Sequence, residues 1–395
     1  MHRVAGRARD NGNGLGRQTA QTAQTAHTAG SSSGALADPP VLARFSGDEF
    51  ALLAEGLGGL DAARSFSGSI VEAFDRPFVV GGDEVYLSAS VGVVLGASRD
   101  DAGMVLQYAD AAMYRAKAAG RGRSEMFDQA MAVAASERLE TVAGLHRALE
   151  RSELRALYQP LVTLPEGRMV GVEALVRWEH PTRGLLAPAA FLEAAEESGL
   201  VIPLGRFMLA QACSDVARWR DEQPEAADMT VHVNLSGRQL EHAEVLEDVA
   251  RALETSGLPA CALVIEVTES VFVAEIAGAL SRLAELKSMG VKLGLDDFGT
   301  GYSSLSFLAS VPFDVLKIDK SFVDWLGQGA VPVLDAVAAL ARAMDLEMVA
   351  EGVEQAFQVE PLLSLGCHLA QGYYFSRPVD QAAIGSLLSA GGVLG

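Results

Sequence analysis

Cysteine is scarce and scattered in this chain. Cys213, Cys261 and Cys367 are odd in number and lie in no Cys-x-x-Cys spacing, which excludes a disulfide framework and a zinc ribbon and suits a reducing cytoplasm. Positive charge is the next shortage. Lys and Arg number 31 against 51 Asp and Glu, a formal charge of −20, and a surface of that sign has no general affinity for the phosphates of DNA or RNA. An anionic ligand is then admissible only where local cations, such as bound metals, invert the field. Long apolar runs are also lacking: no stretch is long enough to span a bilayer, and the opening MHRVAGRARDNGNG carries charges with no apolar segment behind them. Neither a membrane span nor export is expected. What is present is 395 residues, 49% of them hydrophobic, enough for two domains with proper cores.

Residues 1–40, with QTAQTAQTAHTAGSSSG, hold almost no large apolar side chain. Burial cannot offset the ordering entropy of such a tract, so it is expected to lack structure. Over residues 41–128 the pattern changes to short β-like runs (VLARF, FALLAEG, EVYLSASVGVVL) and amphipathic helices (AARSFSGSIVEAF, MVLQYADAAMYRAKAAG), the signature of a small α+β unit. Residues 129–153 read as a helical connector. Residues 154–392 then alternate regularly: GVEAL, TVHVNLS, ALVIEVTE, KLGLDD, VLKID, EMVAEG and AQGYYF read as strands, separated by helical spacings such as VLEDVARALETSG and VLDAVAALARAMD. So many βα units predict an α/β fold, a (β/α)8 barrel of the TIM kind more than an open sheet.

One of these strands ends oddly. LGLDDFGTG, residues 293–301, is an apolar run closed by two adjacent carboxylates and a glycine-rich turn. Paired acids beside buried backbone repel one another and cost desolvation unless a cation lies between them. In a βα barrel the active site lies at the C-terminal ends of the strands, and those ends supply Glu173, Asn234, Glu266, Asp296, Asp297, Lys317, Glu351 and Gln371. All but Lys317 carry side-chain oxygen, and any one alone would pass for a helix-capping or solvated residue. Recurrence at the same end of successive strands favours a site. Oxygen donors without cysteine or clustered histidine favour Mg²⁺ or Mn²⁺ over zinc. Two such ions sharing a carboxylate would explain the adjacent aspartates and would suit phosphodiester hydrolysis. Lys317 is then placed to hold or help deprotonate the water, and Arg177 to fork onto a phosphate.

The second unit resembles the EAL-domain family of cyclic di-GMP phosphodiesterases, through YQPLV, EALVRWEHP, VNLSGRQL, IEVTES, LDDFGTGYSSL, LKIDKSFV, VAEGVE and QGYYFSRP. The resemblance implies metal-dependent hydrolysis of cyclic di-GMP, a bacterial second messenger, to linear 5′-pGpG, with two Mg²⁺ or Mn²⁺ per site. It implies Glu173, Asn234, Glu266, Asp296 and Asp297 as metal ligands, with Glu351 completing the shell and Lys317 beside the nucleophilic water. Gln159 and Arg177 would contact the dinucleotide, Gln371 would lie in the site wall, and Glu269 would anchor the mobile loop after the paired aspartates. It further implies a homodimer through this domain. His368 and Phe207 depart from the family pattern, at positions that are not metal ligands. The alternative from another class is a receptor that binds cyclic di-GMP without cleaving it and acts through a protein partner. Such receptors usually lose one of the acids, and none is lost here.

The first unit resembles the second half of the GGDEF diguanylate cyclase family through RFSGDEFALL, SASVGVVL and ADAAMYRAKAAGRGR. Ser46 replaces the first glycine of the signature, and Ala37 and Pro40 stand where the inhibitory Arg-x-x-Asp would fall. The family's first strand and helix, which supply a metal-binding aspartate, are expected to be missing. Asp48 and Glu49 are therefore expected to be a relic turn, and this unit is expected to be inactive.

Overall fold

A computed structural model describes residues 2–9, 39–97, 99–269, 271, 278–299, 311–326 and 332–394. The chain divides into two units, Met1–Glu140 and Thr141–Gly395.

In the first unit the strands are β1 (His2–Arg9), β2 (Val41–Ser46), β3 (Glu49–Glu55), β4 (Phe78–Val80), β5 (Asp83–Val85), β6 (Ser90–Ala97) and β7 (Ser124–Met126). The main sheet has the order β2-β3-β1-β6-β7, and β4 and β5 form a separate hairpin. The helix Ala102–Ala118 starts at Asp101, whose side chain accepts from the Met104 N–H, a cap that satisfies one of the donors left open at a helix start. It lies directly on β6: a Cβ added at Gly92 would fall 1.9 Å from the Ala109 carbonyl oxygen. Only glycine there, against buried Ala109 and Met113, permits so close an approach.

β1 corrects one expectation. Part of the tract expected to lack structure forms a strand that pairs antiparallel with both β3 and β6, so the first-strand position is filled and no open edge is left there. A strand between two neighbours satisfies its backbone groups on both sides, and small residues such as Val4, Ala5, Gly6 and Ala8 suffice for that pairing. Residues 10–38 lie outside the described residues.

The second unit begins its strands with β8 (Leu154–Thr163) and β9 (Met169–His180), followed by β10 (Gly184–Leu186), β11 (Thr230–Asn234) and β12 (Leu263–Thr268). β13 (Lys292–Phe298), β14 (Val315–Ile318), β15 (Glu347–Ala350) and β16 (Leu369–Ala370) complete the set. The order β9-β11-β12-β13-β14-β15-β16-β8 closes through pairing of β8 with β9, and β10 extends β9 as a hairpin. Eight strands thus make a closed barrel. Seven run parallel, while β8 is antiparallel to both β9 and β16, a departure from the uniform βα repeat.

Alternation along each strand decides what faces inward. The pairings carry one interior set round the barrel: Gln159 opposite Glu173, Glu173 opposite His232, Asn234 opposite Glu266, Thr268 opposite Asp296, Lys317 opposite Val349. Deeper, Leu161, Val264, Val315 and Val349 form an apolar floor with Leu369. Burial of each such side chain contributes about 1.5–3 kcal/mol. The outer faces of the strands pack against helices such as Val201–Glu222, which buries Leu204, Met208, Leu209, Val216 and Trp219. An apolar floor under a polar layer holds that layer at the mouth. Among the described residues no single helix is long and apolar enough to cross a membrane.

Candidate active site

Lys317 is the hub of the mouth. It is fully buried, and its Nζ lies 2.6 Å from Glu351 Oε1, 2.8 Å from Glu266 Oε2, and 3.3 Å from both Glu173 Oε2 and Asp296 Oδ1. Burial alone would push the lysine pKa down, but the surrounding carboxylates, Glu173 foremost, hold it well above its ordinary value. The ammonium therefore keeps its proton.

The acids divide by what surrounds them. Burial pushes Glu173 up, yet Lys317 and hydrogen bonds donated by Gln371 and Asn234 outweigh it and hold the carboxyl below its usual range. Asn234 Nδ2 donates to Glu173 Oε1 at 2.8 Å, and Gln371 Nε2 donates to Glu173 Oε2 at 2.6 Å and to Glu351 Oε1 at 3.1 Å. Glu266 and Glu351 go the other way: burial, then neighbouring carboxylates, raise both well above the ordinary value despite Lys317. Asp297 is raised by burial and then by Asp296 beside it.

Adjacent residues of a regular strand face opposite sides, so the paired aspartates need a local device to act together. Strand β13 supplies it. Its register with β14 shifts between Leu295 and Phe298, and Asp297 takes a left-handed backbone with φ of 54°, a conformation aspartate tolerates better than most side chains. A bulge of this kind re-aims a side chain. As a result, ligand oxygens of Asp296, Asp297 and Glu351 all lie within 4.8 Å of one another. Gly299, at φ of 96°, then turns the chain so close to Phe322 that a Cβ there would lie 2.7 Å from its ring. This is why acids and glycine follow one another in that strand end.

The oxygen-only donor set suits a hard divalent cation. Among the described residues five carboxylates, Glu173, Glu266, Asp296, Asp297 and Glu351, face one ammonium; with all five ionised the formal charge of this mostly buried space would be −4. Two divalent cations would cancel it. The residues fit the implied metals on both counts.

Of the remaining residues singled out in the sequence, Gln159 donates from Nε2 to the Ser376 carbonyl at 3.2 Å. Arg177 donates from Nη1 to the Val176 carbonyl at 2.8 Å, and burial lowers its pKa. Glu269, just beyond β12, is outside the lysine cluster. It is 7% exposed, and both its carboxylate oxygens are buried with no hydrogen-bond partner among the described residues. The loop it was expected to anchor falls largely on residues 300–310, outside the described residues. His368 uses its backbone carbonyl to accept from the Leu164 N–H at 2.8 Å.

One functional neighbour escaped the sequence reading. His232 is 3% exposed and its Nδ1 lies 2.7 Å from Glu266 Oε1. Burial first, and Lys317 second, push its pKa down to about 3. The signal was available: in TVHVN it lies two residues before Asn234, and strand alternation puts both on the inner face.

A closed barrel with carboxylates and amides gathered round one buried lysine at its mouth defines an α/β barrel with an oxygen-donor site of the kind hard divalent cations occupy. The EAL domain model matches residues 142–378, and the chain belongs to that family. The diguanylate cyclase GGDEF domain model matches residues 27–123.

Two curated relatives come from Pseudomonas aeruginosa. The bifunctional diguanylate cyclase/cyclic di-GMP phosphodiesterase MucR is 41% identical over 86% of this chain and 50% of its own length. The cyclic di-GMP phosphodiesterase NbdA is 37% identical over 90% of this chain and 45% of its own length. The chain thus spans about half the length of these relatives. Among solved structures, the PaMucR phosphodiesterase in complex with cyclic di-GMP superposes with a TM-score of 0.59 at 41% identity, covering 62% of this chain and 99% of that one.

Proposed function

We propose that this chain hydrolyses cyclic di-GMP to linear 5′-pGpG at the barrel mouth, supported by two Mg²⁺ or Mn²⁺ ions. The observation that carries this reading is the cluster of Asp296, Asp297 and Glu351 oxygens within 4.8 Å, facing Lys317. Membership in the EAL family and the phosphodiesterase activity for which MucR and NbdA are named agree with it. Glu173, Asn234, Glu266, Asp296, Asp297 and Glu351 would hold the ions. When bound, such ions acidify water, polarise phosphoryl oxygens and neutralise the leaving oxygen.

The chain's own groups do the rest. Water oxygen bonds to phosphorus, the P–O3′ bond breaks, and the water's protons end on the departing 3′-oxygen and the surrounding carboxylates, so one ring opening yields a 5′-phosphate and a 3′-hydroxyl. Lys317 keeps its proton and orients the water by donating to it; Glu351, its nearest carboxylate at 2.6 Å, is the proton acceptor. Gln159 and Arg177, on facing strands β8 and β9, would meet the dinucleotide, and Gln371 would hold Glu173 and Glu351 apart by donating to both. The proposed working form is a cytoplasmic homodimer through the barrel unit, as the family resemblance implies.

The reading is tested by incubating the purified chain with cyclic di-GMP and each cation in turn, then separating the nucleotides. Mg²⁺ and Mn²⁺ are expected to give pGpG. Ca²⁺ is expected to support no more than about a hundredth of that rate and to compete with Mg²⁺, because it takes looser, longer coordination and acidifies water less. Equal rates with Ca²⁺ alone would contradict the two-cation geometry.

Glu269 gives a second expectation. A buried carboxylate whose oxygens find no partner among the described residues is costly unless something outside them satisfies it. Anchoring the loop after Gly299 is the proposed role. Glu269→Ala is expected to lower kcat by about tenfold or more through displacement of Asp297, since small shifts in such sites are expensive. Unchanged kcat together with unchanged cation affinity would make Glu269 an ordinary strand-end acid.

A further inference from the structure

Lys317 is shared among four carboxylates, so it cannot by itself set the orientation of any one of them. Glu266 has a second holder. The histidine side chain two residues before Asn234 lies on the inner face of β11, one layer below the mouth, and reaches up to Glu266 Oε1 at 2.7 Å. Its other ring nitrogen, Nε2, lies 3.4 Å from Thr230 Oγ1. On the opposite side, Glu266 Oε2 accepts from Lys317 at 2.8 Å. Glu266 is completely buried, and room for its stem comes from Gly294, where an added Cβ would stand 3.2 Å from Glu266 Cγ.

We propose that His232 is a positioning residue: by donating from Nδ1 to Glu266 Oε1 it fixes which carboxylate lone pairs Glu266 presents to the divalent cations. The inference rests on the proposed metal-dependent hydrolysis. With Glu266 ionised, as a ligand to a divalent cation has to be, its oxygens only accept, so in that state the hydrogen sits on Nδ1 and the Thr230 hydroxyl is left to face Nε2. Clamped from β11 by His232 and from β14 by Lys317, the carboxylate has one orientation. Without His232 it would keep only a bond that three other acids compete for. Groups that orient a metal ligand in this way typically influence affinity or activity by about 10–100-fold.

The test is direct Mn²⁺ binding, by calorimetry without nucleotide, for wild type and three variants. His232→Leu fills the space without a donor. His232→Asn returns an N–H near the Nδ1 position, and His232→Gln carries it outward to the Nε2 position. Leu and Gln are expected to weaken Mn²⁺ binding by about tenfold or more, and Asn to stay within about threefold of wild type. Rates at limiting Mn²⁺ should fall in the same order and recover as Mn²⁺ is raised, with KM for cyclic di-GMP little changed. A packing role would predict the reverse, with Leu tolerated best. If His232→Leu binds Mn²⁺ as wild type does, or if Asn and Gln are equally weak, the proposal is overturned. Should Leu fail to fold, the contrast between Asn and Gln decides alone. No Mn²⁺ binding by folded wild type would overturn the metal reading and this inference together; intact wild-type binding with an unaffected Leu variant overturns this inference only.

Discussion

Glu173→Ala is expected to abolish turnover while leaving the barrel folded, and Asp296→Asn to do the same. Glu173 accepts from Asn234 and Gln371 and lies 3.3 Å from Lys317, so its loss removes a proposed cation ligand and frees two amides from their orientation. Asp296 is one of the three oxygens that converge within 4.8 Å, and the amide keeps its shape while discarding its charge. Each change should cost at least about a hundredfold in kcat, roughly 2.7 kcal/mol of barrier. The fold should survive because Lys317 keeps Glu266 at 2.8 Å and Glu351 at 2.6 Å, so the buried ammonium is never left unpaired, the situation that would be strongly destabilising. Steady-state kinetics with a thermal melt on each variant checks both halves. A variant retaining more than about a tenth of wild-type kcat, under roughly 1.4 kcal/mol, would contradict the ligand assignment.

From GTP, the chain is expected to make no cyclic di-GMP. The first unit carries Asp48 and Glu49 at the turn joining β2 to β3, where Gly47 takes φ of 47°. Binding a triphosphate with its cations needs carboxylates from two different strands. The strand beside β3, His2–Arg9, has three arginines and no acid in its sequence, so among the described residues the pairing completes the sheet without adding a carboxylate to Asp48 and Glu49. The cleanest measurement uses the Glu173→Ala background, in which hydrolysis cannot conceal synthesis. Product below about a thousandth of a competent synthase's rate, some 4 kcal/mol of missing stabilisation, is the expected result. Detectable accumulation of cyclic di-GMP would show that the first unit is complete by some other route.

Most of the barrel was legible because its signal is periodic. Seven apolar runs separated by helical spacings announce parallel strands, and the polar residue at each strand end announces the mouth. The eighth strand was not read as a strand: LRALYQPLVT carries Arg155, Gln159 and Pro160 within ten residues, and its antiparallel course breaks the repeat. Asp297 shows the limit of alternation. From sequence it should face away from Asp296; only the bulge and the left-handed backbone bring both to one side. His232 was within reach of the same rule of two, but a histidine between valines reads as core until its partner on the neighbouring strand is known. β1 was missed because a strand made of small and basic residues has no hydrophobic pattern, and backbone pairing to two neighbours leaves no mark on the sequence.

The central claim is that the cluster around Lys317 cleaves its ligand and does not merely hold it. A single-turnover experiment decides this most directly: enzyme in excess over cyclic di-GMP, saturating Mn²⁺, quenched over time, with bound and free nucleotide recovered together and separated by chromatography. Complete conversion of cyclic di-GMP to linear pGpG, absent when Mn²⁺ is chelated and restored on its return, is the predicted result. Quantitative recovery of intact cyclic di-GMP from the protein, with Mn²⁺ present and the nucleotide demonstrably bound, would contradict it and make the chain a receptor.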